Sequence, residues 1–313
     1  MHKFLPVALG LASCGLLAGC GNQALTGNPA SPSASAQAAE YALRSNLEAT
    51  SGLLDTADYQ AASALAVPAP STGAVSWSGW WATLPHPLIR LFRAWHVYLP
   101  APGSADCTVQ IAQPQVGTYD VTLNCTGTLP GSSVNFSDQG SASVVFTDPS
   151  DHFAGFTVTL NKLNLTSSWP SGRVEQRSLS GSFTVNRQSV PYQISHQESS
   201  DLTVITKTGA ILQGNFSWNG SHSYTPDHLA QPYQSGTIAG PGGTGSQLTL
   251  SGIQWALSWK PNPTLHWNAS CVAQGDIGFD GGSEVLTRSS QSLTETITAS
   301  FDGCGNEVVT YQN

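Results

Sequence analysis

Charged side chains are scarce in this sequence, at 10% of its 313 residues. The 11 Lys and Arg residues are outnumbered by 19 Asp and Glu residues, which gives a formal net charge of -8. No run of basic residues could neutralise a phosphate backbone, so the sequence predicts no nucleic-acid partner. Gly, Ser, Thr, Asn and Gln are abundant instead, a balance that is typical of exported β-proteins and disfavours long surface helices.

The sequence also lacks the motifs of several common enzyme and cofactor sites. It contains no G-x-S-x-G elbow, H-E-x-x-H helix, Walker loop or dinucleotide fingerprint. We therefore expect no cofactor and assign no catalytic residue, and a binding or structural role is favoured over catalysis. Carbohydrate hydrolases need only two well-placed carboxylates, so that class stays open. The carboxylates available for it, all beside predicted turns where solvated acidic residues are common, are Asp148, Asp151, Glu175, Glu198 and Asp201.

The first twenty residues have the order of features found in an export signal. Lys3 is followed by an apolar run from Phe4 to Ala18, which is too short to span a bilayer stably. The run ends in Leu17-Ala18-Gly19-Cys20, and this segment resembles the lipobox of bacterial lipoproteins. The resemblance implies that residues 1–19 are removed as a signal peptide and that Cys20 carries the lipid as the first mature residue.

The residues that follow Cys20 predict a domain held away from a membrane. Residues 20–37 are mostly Gly, Asn, Ser, Ala and Pro, which cannot bury enough apolar surface to fold, so we expect a flexible tether. Gly21 stands where an Asp typically retains Gram-negative lipoproteins at the inner membrane. The resemblance therefore implies the outer membrane if the host is Gram-negative. No later stretch is apolar enough for a transmembrane helix, and the expected location is the cell envelope.

Four of the six cysteines remain once Cys14 is assigned to the leader and Cys20 to the lipid. An even number of cysteines outside the cytoplasm predicts disulfides. Their spacings are too wide for the close ligand pairs of a zinc site. A hairpin of two strands would bring the first two of the four together. The predicted pairs are Cys107–Cys125 and Cys271–Cys304.

Residues 38–103 show the periodicity of helices. The stretch 38–66 is rich in Ala and Leu at helical spacing, which predicts a helix that is interrupted near Gly52. Pro87 suits the first turn of a second, short amphipathic helix that extends to Leu99. The aromatic residues of this region, which are the candidates for contact with a ligand, are Trp77, Trp80, Trp81, Phe92 and Trp95.

These aromatic side chains are compatible with several roles. We favour a structural one, in which the second helix packs its apolar face on the following sheet. The functional alternatives are an apolar ligand groove between helix and sheet, aromatic platforms for sugar rings, and a helix lying on the membrane surface. The membrane role has the least support, because only Arg90 and Arg93 lie on the polar side of that helix.

From residue 104 to the end of the chain, apolar and polar residues alternate with a period of two. The pattern predicts a mainly β domain at 104–313, built as one large antiparallel meander sheet that is open or curled into a half-barrel. The helical N-terminal segment is expected to pack on it. Asn219-Gly220 predicts a hairpin turn, and the glycine-rich residues 235–246 predict a loop or hinge. Phase slips after Leu160 and at Gly252 predict a bulge or break.

Two stretches contain residues that could hold a metal ion. The segment 276–281, with Asp276 and Asp280, is followed by Glu284 and approaches the spacing of a calcium loop, but it lacks the middle ligand. A plain glycine-rich turn is favoured there. His222 and His228 lie on either side of Asp227, yet they have no obvious third ligand and are more simply surface residues. We therefore predict no metal site.

The sequence as a whole predicts a lipid-anchored cell-envelope protein with a binding or structural role. Our main hypothesis is an apolar ligand held between helix and sheet. A curved sheet with a helix across its concave side is similar, in architecture alone, to periplasmic lipoprotein carriers that hold acyl chains. The alternative is an envelope carbohydrate-active hydrolase or glycan-binding protein that uses exposed tryptophans. The expected partners are a membrane, bound through the lipid, and an apolar small molecule or a glycan.

Overall fold

The computed structural model describes residues 32–55, 105–129, 132–151, 153–249, 251–291 and 293–312. Several predictions lie outside these ranges. They concern the signal peptide, the lipid on Cys20, the helix from Pro87 to Leu99, and the candidate ligand residues Trp77, Trp80, Trp81, Phe92 and Trp95.

The described residues form two helices and one sheet of twelve strands. The helices are α1 (Ala34–Leu54) and the short α2 (Ala269–Ala273). The strands are β1 (Ala105–Gln115), β2 (Thr118–Thr128), β3 (Asn135–Phe146), β4 (Gly155–Ser168), β5 (Val174–Asn186), β6 (Tyr192–Ile205), β7 (Ile211–Pro226), β8 (Ser235–Thr249), β9 (Gln254–Asn268), β10 (Phe279–Ser290), β11 (Leu293–Asp302) and β12 (Glu307–Gln312).

The strands follow one another in space in the same order as in the chain, from β1 to β12, and every neighbouring pair is antiparallel. The predicted meander is confirmed. In the described part of the chain β1 and β12 are the two ends of the sheet, which is therefore open. Both predicted disulfides are also confirmed, since Cys107–Cys125 joins opposite residues of β1 and β2, and Cys271–Cys304 joins α2 to the turn before β12.

Alternation along the strands places one face of the sheet in the core. In β2, for example, Val121, Leu123 and Cys125 are buried while the residues between them are exposed. We call this buried side, which contacts α1, the concave face. The opposite face carries mostly Ser, Thr, Asn and Gln, as the period of two predicts.

The helix α1 confirms the helix predicted after residue 38, with shifted ends. It begins four residues earlier, inside the segment assigned to the tether, because Ser33 caps it by accepting a hydrogen bond from the backbone N–H of Ala36. It ends at Leu54, close to the expected interruption at Gly52. Among the described residues no helix combines the length and the apolar character needed to cross a membrane.

The sheet curves around α1. The hydroxyl of Tyr41 donates a hydrogen bond to Glu175 of β5, whereas the neighbouring residue Glu40 accepts one from Tyr311 of β12. In a flat sheet these two strands would be about 34 Å apart, at about 4.8 Å per strand. Adjacent residues of one helix, which is only about 10 Å wide, cannot reach both strands unless the sheet bends. The strands from β5 to β12 therefore form a trough that holds the helix.

Polar contacts hold the two ends of α1. At its beginning, Arg288 of β10 donates to the hydroxyls of Ser33 and Ser35, and its guanidinium lies over the ring of Trp255. At its end, Arg187 donates to the carbonyl oxygen of Leu53. The last carbonyl groups of a helix receive no hydrogen bond from within the helix, so Arg187 supplies the missing donor. A cation at this position also interacts favourably with the helix dipole.

Two sequence predictions about glycine are wrong. Asn219-Gly220 lies in the middle of β7 and does not form a turn, and residues 235–246 belong to β8 and do not form a loop. The reason is the indole of Trp259, which lies flat across both strands. A Cβ atom on Gly220 would lie 2.7 Å from its Cη2 atom, and one on Gly243 would lie 2.5 Å from its Cζ2 atom. Glycine is needed at these positions for space.

The two predicted phase slips are confirmed. The pairing of β4 with β5 shifts between Leu160 and Leu163, so that both leucines are buried on the concave face. Gly252 lies in the turn between β8 and β9 with a φ of 77°, a left-handed conformation that favours glycine. The first slip keeps the apolar residues facing the core, whereas the second is a break between strands beside which Leu248 and Ile253 are exposed.

We expect Gly220→Ala to lower the free energy of unfolding by about 1 to 3 kcal/mol, because the new methyl group would overlap the indole of Trp259. Gly281→Ala is the matched control, since its Cβ would lie 3.5 Å from the nearest atom, the Cβ of His266. Chemical denaturation of both variants measures the effect. Equal stabilities would contradict the packing of Trp259 described above.

Candidate functional site

A group of four buried residues joins α1 to the centre of the concave face. We call it the His–Trp cluster, and it consists of Asn46 of α1, His196 of β6, His222 of β7 and Trp259 of β9. Their exposed fractions are only 1–4%. Trp259 can reach His196 from three strands away, because the pairing positions between them are Gly220 and Gly243.

The rings of the cluster are in direct contact. His196 stacks on Trp259 with 5.0 Å between ring centroids and 13° between planes, and His222 lies 4.8 Å from Trp259 at 49°. The amide nitrogen Nδ2 of Asn46 donates to Nε2 of His196 over 3.0 Å. Since Nε2 accepts, the proton of the neutral His196 ring is on Nδ1. Asn46 thus brings the helix into contact with the aromatic group on the sheet.

Three polar atoms of this cluster have no hydrogen-bond partner among the described residues. They are Oδ1 of Asn46, Nδ1 of His222 and Nε1 of Trp259. Buried polar atoms are nearly always hydrogen-bonded in folded proteins, and each unsatisfied one costs about 1 to 3 kcal/mol. The three atoms belong to one connected cluster, since Asn46 bonds His196 and both histidines contact Trp259, and a bound polar group could satisfy them.

The two histidines of the cluster are uncharged near neutral pH. Burial lowers the pKa of His196 to about 4. Burial lowers the pKa of His222 to about 3, and the proximity of His196 adds to this effect. Each ring therefore offers one N–H donor and one acceptor nitrogen.

Burial also favours the neutral form of two carboxyl groups on the concave face. Burial raises the pKa of Glu284 on β10 to about 8, and its Oε1 atom has no hydrogen-bond partner among the described residues. Burial raises the pKa of Glu198 on β6 to about 7, although the nearby charge of Arg177 acts in the opposite direction. The two glutamates thus contribute less negative charge to the interior beside the helix than ionised carboxylates would.

A second histidine group lies at the surface, between β9, β10 and the end of β7. Nε2 of His266 is 3.0 Å from Asp227, and its Nδ1 contacts Asp280. Burial lowers the pKa of His266, but its hydrogen bonds to the two carboxylates outweigh this effect and the net shift is upward. Ser235 donates to Asp227 and not to the imidazole, so its hydroxyl is not activated as a nucleophile.

The structure separates the residues that we considered as metal ligands. Asp280 bonds His266, whereas Glu284 is buried on the concave face. His222 belongs to the buried cluster, whereas His228 is exposed. Among the described residues no group of three His, Cys, Asp or Glu side chains could hold a metal ion. Neither the calcium loop nor the histidine site is formed by these side chains.

The carboxylates considered for a hydrolase are mostly engaged in local contacts. Asp148 accepts hydrogen bonds from Ser150 in a turn, and Asp151 accepts from the backbone N–H of Phe153, as expected of turn residues. Glu175 is the second residue of β5, beside the preceding turn, whereas Glu198 and Asp201 lie within β6, so the prediction is wrong for these two. Glu175 is paired with Arg173 and Arg177, Asp201 accepts from Asn215, and Glu198 is buried.

Sequence reasoning did not identify the His–Trp cluster. The alternation of β6 already places His196 on the apolar face together with Tyr192 and Ile194. A histidine on an apolar face indicates a buried polar contact, so this residue could have been found from the sequence. The contribution of Asn46 and the orientation of Trp259 have no local signal, because they depend on the packing of α1 and on glycines of two other strands.

We expect Glu284→Gln to stabilise the protein in a pH-dependent manner. The unfolded carboxyl ionises above pH 4.5, while the folded one stays protonated up to about pH 8, so the wild type loses stability across that interval. An amide does not titrate, and the gain in unfolding free energy should therefore grow from near zero at pH 4 to about 5 kcal/mol above pH 8.

Denaturant titrations between pH 4 and pH 9 measure this difference. Asp120→Asn, on the exposed face of β2, is the matched control and should change stability little at any pH. A Glu284→Gln effect that stays constant over the range would contradict a neutral, buried carboxyl.

No protein-family model, no curated protein and no solved structure matches this chain. Its function is accordingly inferred from the contacts of the His–Trp cluster and of the surrounding concave face.

Proposed function

We propose that the protein is a lipid-anchored lipoprotein of the cell envelope that binds an amphiphilic small molecule between α1 and the concave face. The lipobox Leu17-Ala18-Gly19-Cys20 supports the anchor and the location, which is the outer membrane if the host is Gram-negative. The His–Trp cluster supports the binding role. The protein acts as a binding protein, and no reaction is assigned to it.

The observation that carries the binding role is the set of three unsatisfied polar atoms on Asn46, His222 and Trp259. Small-molecule sites are mostly apolar and contain a few polar groups that fix the orientation of the ligand. The cluster has this composition, since Phe183 lies 6.0 Å from His196, and Leu43 lies one turn before Asn46 and is buried. The polar part of the ligand bonds the three atoms, and its apolar part packs against the core at the helix–sheet seam.

The hydrolase alternative has weaker support from the same face. A glycosidase needs two carboxyl groups on opposite sides of the scissile bond, one of them ionised. Two buried carboxyls of this face, Glu198 and Glu284, come from strands with three others between them, and burial favours the protonated form of both. No observation on the described residues favours catalysis over binding.

The anchor is tested with Cys20→Ser. Each methylene buried in the bilayer contributes about 0.8 kcal/mol, so the loss of the acylated cysteine should release the protein from membranes. Fractionation after a carbonate wash measures the release, and Cys14→Ser, which changes the other leader cysteine, is the control that should stay bound. Sedimentation of the Cys20→Ser protein with membranes would show that the attachment lies elsewhere.

Binding at the seam is tested with the Cys20→Ser protein and the uncharged naphthylamine dye 6-propionyl-2-(dimethylamino)naphthalene, whose carbonyl oxygen can accept a hydrogen bond from the indole of Trp259. We expect a saturable rise in dye fluorescence with one site per chain. Trp259→Phe should weaken binding about fivefold to tenfold, because it removes the Nε1 donor and keeps an aromatic ring.

The control for this titration is Trp169→Phe, which changes a tryptophan that packs against Arg173 at the turn between β4 and β5. It should bind the dye like the wild type. Absence of saturable binding, or equal weakening in both variants, would overturn the proposed site.

A further inference from the structure

The unsatisfied atoms of the His–Trp cluster differ in the hydrogen bonds that they can make. The indole Nε1–H of Trp259 only donates. Oδ1 of Asn46 is an amide carbonyl oxygen and only accepts, while the amide nitrogen of the same side chain donates to His196. A single ligand group that satisfies both atoms must therefore accept one hydrogen bond and donate another.

We infer that the ligand carries an uncharged hydroxyl or amide group at the end of an apolar chain, and that Asn46, His222 and Trp259 select this group over charged ones. The inference rests on the proposed binding function. A hydroxyl accepts from the indole of Trp259 and donates to Oδ1 of Asn46 or to the ring of His222. A carboxylate cannot donate, and an ammonium cannot accept, so each leaves one buried atom unsatisfied.

The surroundings of the cluster reinforce the selection against charge. Both histidines are neutral and cannot compensate an anion. Arg177 of β5 reaches the helix from the strand next to β6, and it is already paired with Glu175 and bonded to Ser45. Moving an ion from water to such a site without a counter-ion is unfavourable. The seam therefore discriminates by the charge of the head group and not only by the length of the chain.

Three probes with the same ten-carbon chain test this selection: 1-decanol, decanoate and decylammonium. Isothermal titration of each into the Cys20→Ser protein at pH 7 should give an affinity for 1-decanol at least about tenfold above that of either ion. His222→Phe keeps a flat ring but removes both ring nitrogens, and it should weaken 1-decanol binding by about fivefold or more. His228→Phe, at an exposed position, should leave it unchanged.

The outcomes separate this inference from the proposed function. Equal or tighter binding of an ion, or unchanged 1-decanol binding in His222→Phe, would overturn the head-group selection while binding at the seam stands. If neither 1-decanol nor the naphthylamine dye binds, the proposed function fails as well, and ordered water alone satisfies the three atoms. Where circular dichroism shows that His222→Phe does not fold, Trp259→Phe serves as the second variant and should weaken 1-decanol to a similar extent.

Discussion

The bending of the sheet around α1 is the constraint on which the rest of the structure depends. Glu40 and Tyr41 are adjacent in the helix, yet they bond strands that are seven places apart in the sheet. Because the strands from β5 to β12 enclose the helix, polar side chains of either partner that point inward lose contact with water. Each of them must then find a hydrogen-bond partner, remain neutral, or stay unsatisfied.

All three outcomes occur in the trough. Arg288 satisfies its donors with Glu295, Gln247 and the hydroxyls at the start of α1. Glu284 stays neutral. The His–Trp cluster retains unsatisfied atoms around the indole of Trp259, which fills the space left by two glycines. The first outcome stabilises the fold, the second lowers its stability above pH 4.5, and the third supports binding.

The fold could be predicted from the sequence further than the site could. Alternation with a period of two gives the meander and its buried face, and the hairpin around Cys107 and Cys125 gives one disulfide, because these signals are local. Glycine was the main source of error. The local rule assigns Gly220 to a turn, but the indole of Trp259, which is distant in sequence, decides its role. The site depends on such distant contacts, and alternation reveals only His196 on the buried face.

The central claim is that the unsatisfied atoms of the His–Trp cluster receive the polar group of a ligand. Nitrogen-15 NMR of the histidine rings tests it most directly, with 1-decanol added to the Cys20→Ser protein. We predict that the Nδ1 resonance of His222 shifts with saturation at one ligand per chain, while the ring of His266, which is already bonded to two carboxylates, does not change. A His222 resonance that is unaffected by bound 1-decanol would contradict the account.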